Sequence, residues 1–147
     1  MKTNKIAYAV LVISTLSVAA FSQTNSNSYF SVPNSIRESN LSKAEKQYFS
    51  CLKSVNDGVV ESALAHVAML KLMNPDRDFA SVAPVVDMVA GKNSSPEIRY
   101  KAYLVSNVLR NPELFSGDTR TDYESPDELF SVLASRMSAL IASSIEK

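Results

Sequence analysis

From Ser42 to the C-terminus, the apolar residues of this chain recur three and four positions apart, in five segments divided by Pro, Gly and Asn. That spacing gathers them on one face of an α-helix, whereas a half-buried strand needs strict alternation. No segment reads as a credible strand, so the sequence predicts an all-α domain of five helices.

Helix one is expected over about 42–53. Ser42 and Glu45 stand at capping-box spacing, and Tyr48, Phe49 and Leu52 supply the buried face. Helix two opens with Asp57 as N-cap, carries Val60, Ala63, Leu64, Val67 and Leu70 inward, and stops at Asn74-Pro75. Helix three runs from about Ser81 to Ala90, with Pro84 in its first turn and Gly91 ending it; its face is Val82, Val85, Val86 and Val89. Helix four starts at Ser95-Pro96, turns Ile98, Ala102, Val105, Val108 and Leu109 inward, and closes at Asn111-Pro112. After a polar loop, Ser116 to Glu124, whose one partly apolar residue is Tyr123, helix five begins at Ser125-Pro126-Asp127-Glu128, again at capping-box spacing. Its apolar residues are Leu129, Phe130, Leu133, Met137, Leu140, Ile141 and Ile145.

The segment ahead of the domain reads as an export signal. Lys2 and Lys5 precede an uncharged apolar run, Ile6 to Phe21, followed by small residues. Its 16 residues fall short of the ~20 that cross a bilayer, so cleavage is favoured over anchoring. Acceptable cuts lie after Ala20 and after Ser22, the second preferred, which sets residues 1–22 as signal peptide and a periplasmic or secreted destination without stable membrane insertion. No cysteine ends the run, which argues against a lipoprotein. Residues 23–40, rich in Ser and Asn, read as a lead-in that Tyr29, Phe30, Val32 and Ile36 could pin to the domain, and residues 41–147 form the domain itself.

The 125 residues left after cleavage make one domain. Loss of Lys2 and Lys5 leaves 13 basic side chains against 15 acidic ones. That balance argues against a nucleic-acid partner, which calls for a basic face. Cys51 is the only cysteine, so no intramolecular disulfide supports the fold and stability must come from packing.

Two helix pairs resemble one another. At a shift of 37 residues, Phe49 and Leu52 fall on Val86 and Val89, Ala65 on Ala102, and Asn74-Pro75 on Asn111-Pro112; the inward faces of helices two and four fit better at 38. A period of this size marks stacked helical repeats. Residues Ser81 to Leu109 resemble a HEAT or HEAT-like repeat: a short helix with proline and branched apolar residues, a turn, then Pro96, Glu97, Ile98, Arg99 and Ala102 in the family's order. Phe49 to Met73 resembles the same unit more weakly. The resemblance implies a short right-handed α-solenoid of two helix pairs, capped by helix five and working through protein contacts. It departs from the family where Glu61 stands in place of an arginine and where serines, not aspartate, precede the second helix of the second unit.

Chemical candidates are few. His66 is the only histidine, and a zinc site needs three or four ligands that one histidine and Cys51 do not supply. Cys51 reads as a small buried thiol on an amphipathic helix. No G-x-S-x-G elbow accompanies the many serines. Asp118, Asp122, Glu124, Asp127 and Glu128 cluster near one loop, but their spacing matches no EF-hand and Arg120 lies among them, which favours a solvated loop over a calcium site. No catalytic, cofactor or metal residues are therefore assigned.

Two function classes follow. The first is a non-catalytic interaction or scaffolding module of the cell envelope, with Ser131, Ser135 and Ser138 on the outer face of helix five as candidate partner contacts. The second is a small-ligand or hydrolytic domain using an inter-helix groove near His66, with Tyr100 or Tyr103 at its edge. A deep pocket holding His66 with two or more acidic or hydroxyl groups would favour the second, and a shallow ridged surface the first.

Overall fold

The computed structural model describes residues 29–30, 38–118 and 122–145, except the side chains of 38, 39 and 118. The described elements are all helical, as expected of an all-α chain: α1 (Glu38–Cys51), α2 (Asp57–Met73), α3 (Ala83–Lys92), α4 (Pro96–Arg110) and α5 (Pro126–Ile145), with two short 3-10 turns, Pro112–Leu114 and Ser116–Asp118, between α4 and α5. Residues 1–22, expected from the sequence to be a signal peptide, and Val32, Ile36 and Arg120 lie outside the described residues.

α2 is the centre of the molecule. Ten of its 17 residues are buried, all round the helix rather than along one stripe, and such a helix must be enclosed by others. α4 packs along it, α3 packs against α4, α1 lies on α2, and α5 touches both α2 and α4. The inward residues expected of helices two and four, Val60, Leu64, Val67, Ile98, Ala102 and Val105, are all buried, as are Val82, Val85, Val86 and Val89 of α3.

Several helix ends differ from expectation. α1 begins at Glu38 rather than Ser42, so Glu45 sits mid-helix and does not close a capping box. Its carboxylate accepts from Arg77 Nε at 2.7 Å, tying α1 to the α2–α3 connection 32 residues on. The N-cap of α2 is Asn56, not Asp57: its Oδ1 accepts from the amides of Gly58 (2.9 Å) and Val59 (3.3 Å), and Asp57 becomes the first helical residue. α3 continues through Gly91 to Lys92, because Asn93 supplies the cap: its amide bonds Val89 and its Oδ1 accepts from the Ser95 amide. Ser95 caps α4 as expected, accepting from the Ile98 amide at 3.3 Å.

The two Asn-Pro stops share one geometry. Asn74 has φ −133°, ψ 67° and Asn111 has φ −138°, ψ 61°, outside the helical region that a following proline disfavours. Register is therefore 37 at the stops and 38 along the buried faces: four residues separate Leu70 from Asn74, but only three separate Val108 from Asn111.

The lead-in is pinned at Tyr29 and Phe30. Phe30 is buried, the Tyr29 amide donates to the Tyr123 carbonyl (2.7 Å), and Phe30 meets Tyr123 edge-on at 6.2 Å. Tyr123, read as part of a polar loop, is only 1% exposed as a result.

Candidate functional site

Ser131, Ser135 and Ser138 all lie exposed on α5, as expected of its outer face. The chemistry of Ser135 and Ser138 is less polar than the sequence implies. Ser135 Oγ donates to the Ser131 carbonyl and Ser138 Oγ to the Ala134 carbonyl, both at 2.9 Å; further along, Ser143 and Ser144 donate to Leu140 and Ile141 carbonyls. Hydroxyls satisfied by their own helix need no water. Arg136, the only charge between Leu129 and Ile145, turns its Nε to the Leu114 carbonyl.

The inward face of α5 also ends early. Leu129, Phe130, Leu133 and Met137 are buried, but Ile141 is 50% and Ile145 78% exposed. Residues 141–145 are all exposed, so the packed part of this 20-residue helix ends near Met137. By length and composition α5 could cross a membrane, yet its first half is part of the packed core.

A second site lies at His66. Nδ1 is 2.8 Å from the Ser62 carbonyl, one turn back on α2. A carbonyl only accepts, so Nδ1 carries a hydrogen and Nε2 is the acceptor of the neutral ring. Tyr48 of α1 stacks on the imidazole (5.7 Å, 24°), while Phe30 and Tyr29 approach it at 5.1 and 5.3 Å. Tyr29 and Ser62 hydroxyls share a hydrogen bond at 2.7 Å. Beside this cluster, between α1 and the start of α2, is a wide-mouthed groove of about 350 Å³, open to solvent rather than a deep pocket, lined by Tyr48, Cys51, Asn56, Gly58, Val59, Ser62, Ala63 and His66. Burial, then the neighbouring Cys51 and Tyr29, push the Tyr48 hydroxyl above its ordinary pKa, so it stays a neutral donor. Tyr100 and Tyr103, exposed on α4, do not line this cavity.

Sequence reasoning missed a third cluster. Lys101, on α4 and only 8% exposed, donates to Glu61 of α2, to Glu97 of its own helix (2.7 Å) and to Asp127 of α5 (2.8 Å). Only the Glu97–Lys101 spacing was visible beforehand, as an i,i+4 pair. Burial works against the charge on Lys101, but the bonds to Asp127, Glu61 and Glu97 outweigh it and hold its pKa above the ordinary value. The bond and charge of Lys101 hold Asp127 below the usual carboxylate range. Carboxylate oxygens of Glu61, Glu97 and Asp127 lie within 4.8 Å of one another, close enough to ligate a cation, but the ammonium already serves them. Of the acidic loop residues, Asp127 thus turns to Lys101 while Glu128 accepts from the Glu124 amide (2.8 Å), so these two do not converge on one ion.

No protein-family model matches this chain, and no curated protein or solved structure does. What the three clusters do must be argued from their chemistry.

Proposed function

We propose that the chain is an exported, non-catalytic module with the HEAT-like arrangement of a short right-handed solenoid, acting as a protein-interaction or scaffolding domain of the cell envelope through the outer face of α5. One observation carries this reading: the last turns of α5 project beyond the core with exposed isoleucines, no charge, and serine hydroxyls already bonded to their own backbone. Docking such a face removes apolar surface from water and leaves the hydroxyls of Ser135, Ser138, Ser143 and Ser144 paired with their own helix. The matching stop geometry at Asn74 and Asn111 supports the repeat reading, since both helix pairs then end alike. The fitting partner presents an uncharged apolar helix or groove.

Export is tested by N-terminal sequencing of the protein from its native host, which should find Phe21 or Gln23 first and the protein in the soluble fraction outside the cytoplasm. Intact Met1 in the membrane fraction would establish an anchor instead. The docking face is tested by Ser135→Glu combined with Ser138→Glu. Both sites are exposed, so circular dichroism should be unchanged, while partner capture or self-association should weaken by about tenfold or more, because docking now desolvates two charges. Complexes equal to wild type in pull-down and light scattering would show that α5 is not the interface.

A further inference from the structure

The cavity beside His66 is independent of α5 and has its own chemistry. We propose that it is a binding site for a neutral, flat aromatic molecule bearing a hydroxyl, of the phenol or naphthol class. Its volume, about 350 Å³, lies in the range of small-molecule sites. No Lys, Arg, Asp or Glu lines it, so a charged ligand would lose hydration without gaining a counter-charge. Val59 and Ala63 give apolar wall, and the stacked rings of Tyr48 and His66 favour a flat aromatic guest.

The polar groups narrow the class further. Among the described residues every buried side-chain nitrogen and oxygen has a hydrogen-bond partner. His66 Nε2 and the Tyr48 hydroxyl make no such bond, so neither is fully buried, and both residues line the cavity. With the Nδ1 hydrogen committed to the Ser62 carbonyl, Nε2 of that tautomer offers an acceptor and Tyr48 a donor. A hydroxyl on the ligand answers both. The site also holds a thiol reporter, because Cys51 lines the cavity and is the only cysteine of the chain.

The test uses the whole chain and 2-naphthol, with binding followed by isothermal titration calorimetry, which reads the wild type and every variant in the same way. Saturable one-to-one binding is expected, with 2-methoxynaphthalene, which cannot donate, about tenfold weaker, as the loss of one hydrogen bond implies. His66→Phe keeps a ring but removes the acceptor and should abolish that preference. Val59→Trp, at a partly exposed position of the wall, should fill the cavity and weaken 2-naphthol at least tenfold while leaving thermal unfolding unchanged. Saturating 2-naphthol should also slow alkylation of Cys51 by iodoacetamide at least about fivefold. Absence of saturable binding, equal affinity for the two naphthalenes in the wild type, wild-type affinity in Val59→Trp, or an unprotected Cys51 would each overturn the assignment.

Discussion

Leu64→Ala should lower the unfolding free energy by about 2–5 kcal/mol, and Ile98→Ala by a similar amount. Leu64 has no exposed surface and sits midway along the enclosed α2; Ile98, buried in the first turn of α4, occupies the position 38 residues after Val60. Each truncation removes transfer free energy and leaves a cavity that surrounding helices only partly fill, because interiors are close-packed. A single domain has about 5–15 kcal/mol in all, and this one has no intramolecular disulfide to fall back on. Urea unfolding followed by circular dichroism measures the loss. A change under about 0.5 kcal/mol at both sites would mean that the buried faces are misassigned.

The buried faces were legible because a 3.6-residue period survives whatever the helix packs against: Val60, Leu64 and Val67 or Ile98, Ala102 and Val105 share a side before any neighbour is known. Helix ends were legible only where the capping group is local. Ser95 fixes α4 through an amide three residues on, and Ser125 accepts from Glu128 in the same way. Where a side chain has a distant partner, the local pattern misleads. Glu45 matched a capping box with Ser42 but binds Arg77, and the true start of α1 lies four residues earlier. Gly91 has the residue type of a helix stop, yet Asn93 holds the turn, and nothing lies within 4 Å of where a Cβ at Gly91 would stand, so no close approach demands glycine.

The sites divide in the same manner. The serine face of α5 follows from helical spacing alone, but the inward turn of its hydroxyls, and the exposure of Ile141 and Ile145, are visible only in the folded chain. His66 read as a lone histidine because the rings of its cluster come from three distant places in the sequence: Tyr29-Phe30 and Tyr48 around it, and Tyr123 behind Phe30. Lys101 was hidden for the same reason, with Glu61 40 residues before it and Asp127 26 residues after.

Lys101→Met should cost about 1–3 kcal/mol at neutral pH and make stability respond to acid in the opposite sense from wild type. Methionine keeps the buried stem but removes the ammonium, leaving three carboxylates with oxygens within 4.8 Å. Breaking a fully buried ion pair costs about 3–5 kcal/mol; the smaller figure applies because Glu97 and Asp127 are largely exposed and screened by water. In the wild type Asp127 has a depressed pKa. Its contribution is therefore complete above the unfolded value of about 4 and is lost as pH falls through the lower folded value. Lys101 has a raised pKa, so its contribution is complete below about 10.4 and is lost as pH climbs through the higher folded value. In the variant, mutual repulsion raises the carboxylate pKa values, and protonation relieves the strain rather than breaking a bond. The stability gap between wild type and Lys101→Met should accordingly narrow as pH drops from about 7 toward 4.5 and close further in high salt. Urea midpoints across that range decide it: a gap constant with pH would make Lys101 a packing residue, and a narrowing gap makes it the charge that holds α2, α4 and α5 together.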